Sequence, residues 1–296
     1  MNPKYCVALV LNESLSYVGI HNAFFSQRTI AGLGLVLLLC PITVLSAQSP
    51  VVEDPEALLQ RIRSRVVEHL SHLPNYTCHE VIDRLLRPLN SSTGQTDRVE
   101  LEVAFVGGKE LFSRAGESQF QDQPISQIVS SGTIGSGSFG SFVNSIFLED
   151  AALFRYVGLS KKDGHWAVHY DFEIAQEKSH FSLQRAAQQG IVGYRGSFWA
   201  DFETLDLVQL EIKADHIPSY LGIRFVEEKM RYMMVRIRDS EFLLPRHAEL
   251  AASDIAGNYS LNATSLERCR EFTGQSVVTF ESPAGSSSAD RQAPDQ

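Results

Sequence analysis

After Pro74 the chain carries one strand-like segment after another, and nowhere between them does a helical repeat run long enough to act as a βαβ crossover. Strands linked without crossovers pair antiparallel with their sequence neighbours. The alternation is clean in RVELEVAF (98–105), where Val99, Leu101, Val103 and Phe105 face one way while Arg98, Glu100 and Glu102 face the other. Gly107-Gly108 then makes a two-residue hairpin turn into KELF. Further strands are expected at 153–159, 166–174, 193–200, 206–214, 221–238 (with a break allowed), 242–251 and 275–281. About four to eight strands in one sheet are expected from these segments.

One helix precedes them. In DPEALLQRIRSRVVEHLSH (54–72), Asp54 can cap the start and Pro55 suits the first turn, while Leu58, Ile62, Val66, His69 and Leu70 share a face. Leu73-Pro74 ends it. The expected class is α+β: a long curved antiparallel sheet, an open half-barrel, packed around this helix and a short lid helix. The segment 117–150 is rich in Gly and Ser and too long for an ordinary hairpin loop, which marks it as a functional lid. Its end can form that lid helix, with Ser138 as cap and Phe139, Phe142, Val143 and Ile146 at helical spacing.

The N-terminus belongs to targeting rather than to the fold. Residues 30–47 (IAGLGLVLLLCPITVLSA) are almost wholly apolar, follow Arg28 and end in small residues before Gln48. That resembles a secretory signal peptide cleaved after Ala47, and Pro41, Thr43 and Ser46 weaken it as a membrane helix. The alternative is an uncleaved anchor that touches the membrane through 30–47, since about 18 residues just suffice to span a bilayer. A lipid-attachment reading at Cys40 fails because Leu39 stands where a small residue is needed. The expected organisation is therefore 1–47 as signal or anchor, 48–281 as one domain and 282–296 as a disordered tail.

Export sets the chemistry of what remains. Removing 1–47 leaves two cysteines, Cys78 and Cys269, which should pair in an oxidising periplasm or cell envelope. Closing a loop of roughly 190 residues would favour the fold by about 5 kcal/mol in the chain-entropy picture. It also requires the first strand and one near the C-terminus to lie side by side. Two separate buried thiols are the alternative. Losing Lys4 and Arg28 against Glu13 moves the net charge from −9 to −10, which excludes non-specific nucleic-acid binding.

Motifs for catalysis or cofactors are weak. GSGSFG (135–140) matches a dinucleotide fingerprint in letters only, because a polar loop precedes it and no βαβ unit follows. His69 and His72 are three apart on the helix with His79 near, but no HExxH motif or acidic third ligand accompanies them. His165 and His169 would stand roughly 13 Å apart on a strand, too far to share an ion. There is no GxSxG elbow, SxxK or Walker loop. No metal, cofactor or catalytic residue is assigned. Asn75, Asn90, Asn258 and Asn262 open Asn-x-Ser/Thr sequons, which matter only in a eukaryotic secretory context.

GYRGSFWADFETLDLVQLEI (193–212) sets Phe198 beside Trp199, so a strand here carries bulk on both faces. One face can meet the helix; the other then needs a second sheet, a lid or a bound apolar molecule. The candidate ligand-lining residues are Tyr194, Phe198, Trp199, the pliable Met230, Met233 and Met234, and Phe139 and Phe142 of the lid, with core filling as the alternative for each.

An exported chain with an amphipathic helix, then strands, then GYRGSFWADFETLDLVQLEI and EFLLPRHAEL resembles the LolA-type lipoprotein-carrier superfamily. That superfamily's Gly-x-x-Trp-x-Asp-x-x-Thr strand and turn is matched, with altered spacing, by Gly196, Trp199, Asp201 and Thr204. LPNYTC (73–78) and CREF (269–272) complete a pattern similar to exported bacterial proteins of the same half-barrel type. The resemblance implies a sheet whose hollow side, plugged by helices, accepts acyl chains without catalysis. The expected function is a non-catalytic envelope protein that binds a lipid or lipidated protein. A protein-interaction or sensory module that grips an envelope partner on the same fold is the alternative, and a hydrolase with a dispersed triad comes third.

Overall fold

The computed structural model describes residues 51–91, 93–117, 119–120, 125–129, 131–135 and 140–272. The segments 1–47 and 282–296, the strand expected at 275–281, the cap Ser138 and Phe139 lie outside the described residues. Among the described residues no helix is long and apolar enough to cross a membrane.

Helix α1 spans Pro55–His72, and Asp54 caps it by accepting the Ala57 N–H at 3.0 Å. Its buried stripe is Leu58, Leu59, Ile62 and Val66. Twelve strands accompany it, more than the four to eight expected: β1 Tyr76–Arg87, β2 Gln95–Val106, β3 Lys109–Arg114, β4 Leu153–Lys162, β5 His165–Ile174, β6 Ser182–Arg185, β7 Gln188–Ile191, β8 Gly193–Asp201, β9 Leu207–Asp215, β10 Ile223–Ile237, β11 Ser240–Asp254 and β12 Tyr259–Glu271. Ten form one antiparallel sheet in the order β3-β2-β1-β12-β11-β10-β9-β8-β5-β4, and β6–β7 make a separate ribbon.

The topology is two meanders that meet at the middle. One runs outward from β1 to β3; the other starts at β4, on the opposite edge, and runs inward to β12. β1 and β12 pair along most of their length, and Cys78–Cys269 joins them, as the cysteine pattern required. A single rung crosses nine strands: Val99, Ile82, Thr264, Ala248, Met230, Leu210, Phe198, Tyr170 and Tyr156. All nine side chains point to the inner face, because residues paired directly across a ladder share a side.

The sheet is open and bends through irregularities in its ladders. Register shifts fall at Thr77/His79, Tyr156/Gly158, Trp199/Ala200, Ile223/Phe225 and Arg231/Tyr232, where an extra residue bends the strand. Pro245 pairs with Tyr232 at the last of these, where the missing N–H is tolerated. At Gly196 the neighbouring strand comes so close that a Cβ would lie 1.8 Å from the Glu211 carbonyl oxygen.

Because β3 and β4 are the two edges, the connection between them must traverse the whole inner face. That explains the length of the Gly/Ser-rich segment. Its described parts are packed there: Ile125, Val129 and Ile134 against β1, β2 and β3, and the short helix α2 (Ser141–Val143, continuing as a π turn Asn144–Leu148) beside α1. The core falls into two clusters accordingly. One joins α1 and α2 to Phe198, Tyr170, Leu210 and Met230, and the other gathers Ile125 and Ile134 over Cys78, Leu101 and Val103.

Candidate functional site

A cleft of about 280 Å³ lies where the coverings of the inner face fail to meet. The last turn of α1 (His69, Leu70), the β2–β3 turn and the start of α2 (Ser141, Asn144) form its rim, and Tyr76, Phe105 and Tyr232 line its interior. The rim is fixed by short local bonds. Gly107 and Gly108 both take positive φ, as the two-residue turn between Val106 and Lys109 demands, and the Gly107 N–H donates to Asn75 Oδ1 at 3.1 Å. Tyr76 and Phe105 pair across β1 and β2, and their rings stack at 4.4 Å.

On the helix side, Asp206 accepts from His69 Nε2 at 2.7 Å and from Arg65 Nε at 2.8 Å. Burial pushes the Asp206 carboxyl up, but these two bonds and the charges behind them outweigh it and hold the group below the ordinary carboxylate range. Asp206 is delivered by the turn after β8, where Asp201 Oδ1 accepts the N–H groups of Glu203 and Thr204. The Asp/Thr turn that the sequence pattern singled out is therefore what pins α1 beside the cleft.

Two buried carboxyl side chains stand on the inner face, Glu80 on β1 and Glu228 on β10. Glu80 has apolar neighbours on both sides, Leu101 on β2 and Leu266 on β12, and no hydrogen bond reaches its Oε2. Burial first, and then the negative charges of Glu110 and Glu228, push its pKa up to about 8. Glu110 lines the cleft. Strands β1 and β10 are separated by two others, so the mutual influence of Glu80 and Glu228, and likewise of Tyr76 and Tyr232, reports how far the sheet folds round on itself.

Of the ligand-lining candidates read from sequence, Tyr194, Phe198, Met230 and Phe142 come together, all fully buried in the cluster under α1 and α2. Phe198 stacks on Tyr170 at 5.3 Å and meets the Phe147 ring edge-on at 5.0 Å, while Phe142 lies 5.4 Å from Tyr194. Trp199 faces the opposite way. Its cover is neither a second sheet nor a lid: the His169 ring stacks on it at 4.4 Å and the Lys162 ammonium sits 3.9 Å from its centroid. Met233 and Met234 are about half exposed. None of these seven residues lines the cleft, and Phe139 lies outside the described residues.

The histidines are occupied structurally. His69 holds Asp206, and His72 Nδ1 pairs with the Glu68 carbonyl at 2.8 Å. His79 is buried between Glu102 and Glu100 on the outer face. Among the described residues no group of three His, Cys, Asp or Glu side chains is placed to hold a metal ion. A wider trough of about 520 Å³ on the sheet is lined by charges that pair with one another, among them Arg155 with Asp171 and Lys213 with Glu227 at 2.6 Å.

The architecture is that of an open antiparallel half-barrel whose concave side is plugged by a helix and a long crossing segment, with a hollow left between them. No protein-family model matches the chain, and no curated protein matches it. Among solved structures it is similar to an outer membrane lipoprotein-sorting protein domain from Vibrio parahaemolyticus, at 10% identity and TM-score 0.41, over 74% of this chain and 95% of that chain. It is also similar to a DUF1329 family protein from Desulfovibrio piger, at 12% identity and TM-score 0.40, over 76% of this chain and 97% of that one. A third is the lipoprotein LppX of Mycobacterium tuberculosis, at 11% identity and TM-score 0.26, over 73% and 97%.

Proposed function

We propose that this is an exported cell-envelope protein that binds a lipid, or the acyl chain of a lipidated partner, non-covalently in the inner cleft. The observation that carries the reading is the cleft itself: a hollow of about 280 Å³ walled by Leu70, Tyr76, Phe105, Tyr232 and Leu243, beside a core that is otherwise filled. At about 30 Å³ for each water-sized group, it takes roughly nine methylenes. Their transfer from water is worth up to about 7 kcal/mol before the costs of binding. The Cys78–Cys269 bridge supports an oxidising compartment, and residues 30–47 would add membrane contact if retained. Such binding requires no catalytic residue.

Native mass spectrometry of protein purified from its own envelope without detergent tests this directly. A ligand-bearing mass, lost when Leu243→Trp fills the cleft, is the expected result. The apo mass alone, in repeated preparations, together with no uptake of a fluorescent fatty-acid probe, would refute it.

A further inference from the structure

We propose, building on the cleft reading, that the ligand presents a primary ammonium or similar N–H-bearing cation to the inner end of the cleft, where Glu80 and Glu110 receive it. The cleft's interior is otherwise apolar and aromatic, so a carboxyl in it needs a reason. Glu110 lines the hollow, on the same ladder row as Phe105 and Tyr76. Glu80 follows Tyr76 on the same face of β1, is 4% exposed, and keeps Oε2 without a hydrogen-bond partner. A buried oxygen left unsatisfied costs about 1–3 kcal/mol, and a ligand donor that satisfies it recovers that amount.

The groups that act on Glu80 are all of one sign or neutral. Glu110 reaches it from β3 and Glu228 from β10, while the flanking strands offer Leu101 and Leu266. An anionic head would add a further negative charge to this chamber; an ammonium would be attracted and would donate N–H bonds to it. The apolar wall of Tyr76, Phe105 and Tyr232 then takes the alkyl chain.

Proton balance makes the proposal measurable. With its pKa near 8, Glu80 carries a proton at neutral pH in the free protein. An ammonium bound against it favours the carboxylate, so the Oε2 proton passes to solvent as the cation binds. Below pH 8 affinity therefore rises with pH, approaching about tenfold per unit while a whole proton is released, and levels off above it. The alkylammonium itself stays charged throughout, because its pKa is about 10, like that of lysine.

The test is calorimetric titration of the disulfide-intact protein with three probes of equal chain length: decylammonium, decanol and decanoate. Decylammonium should bind tightest at pH 7, about tenfold or more above decanoate, with proton release visible as a buffer-dependent heat. Glu80→Gln should abolish the pH dependence, and Glu110→Gln should narrow the preference. The pH series on the unaltered protein decides the matter even if neither variant folds. Decanoate binding as tightly as decylammonium, or affinity flat from pH 6 to 8, overturns the inference and leaves the cleft reading standing. Binding of none of the three overturns both.

Discussion

The two halves of the inner face are both buried, yet they are written in different residues. Under α1 and α2 the sheet presents Phe198, Leu210, Met230 and Tyr170. Under the segment around residues 125–135 it presents Arg84, Ser260 and Asn262 as well as Ile82 and Leu101. The difference follows from what covers each half. A helix satisfies its own backbone and offers side chains, so the strands beneath it want apolar surface. An irregular segment arrives with unpaired carbonyls, and the strands beneath it must supply donors. Asn262 donates to the Thr133 carbonyl at 2.8 Å, the Thr133 hydroxyl bonds Ser260, and Arg84 donates to the Ser131 carbonyl. One half is held by packing, the other by stitched backbone.

That contrast is open to breaking. Phe198→Ala should show the largest effect, about 3–5 kcal/mol of stability lost in denaturant titration, since it empties the space between Tyr170 and Phe147. Pairing Cys78→Ala with Cys269→Ala comes next, at about 2–4 kcal/mol, because the bridge ties the central seam where the two meanders meet. Asn262→Ala should cost about 1–3 kcal/mol by orphaning the Thr133 carbonyl. An Asn262→Ala loss as large as that of Phe198→Ala would mean that the polar half carries as much stability as the apolar one, and the distinction would fail.

The same contrast decides what could be read from sequence. The apolar half was legible. Asp54-Pro55 marks the helix start, Phe142, Val143 and Ile146 mark the short helix, and the both-sided bulk of Phe198-Trp199 marks a strand covered on each face. The polar half was not. β12 reads Tyr-Ser-Leu-Asn-Ala-Thr-Ser, and its inward positions Ser260, Asn262 and Thr264 carry no apolar alternation, because they face backbone. The two cysteines alone signalled that a strand had to lie there. Methionine alternation misleads for a local reason: the register shift at Arg231/Tyr232 leaves Met230 buried while Met233 and Met234 stay half exposed. The cleft escaped because its walls come from α1, β1, β2, β10 and β11, which only the fold brings together. Tyr76 lay inside a stretch singled out for its cysteine, and Tyr232 inside one singled out for its methionines.

The smallest expected effect is the most local. Asp54→Ala removes the side-chain acceptor for the Ala57 N–H, a cap worth about 1 kcal/mol at an exposed helix start. The helix is not released by that change alone, since the Tyr170 hydroxyl also donates to the Pro55 carbonyl at 2.6 Å and Leu58, Ile62 and Val66 remain buried. The first turn should fray while the cluster beneath stays intact. Hydrogen exchange then separates the halves: protection should drop over the first turn of α1 and stay unchanged at Ile134 and along β12, because no bond of the stitched half depends on the cap. Loss of protection in both halves would show that the two coverings loosen as one unit, and that the boundary between helix-packed and backbone-stitched regions has no energetic meaning.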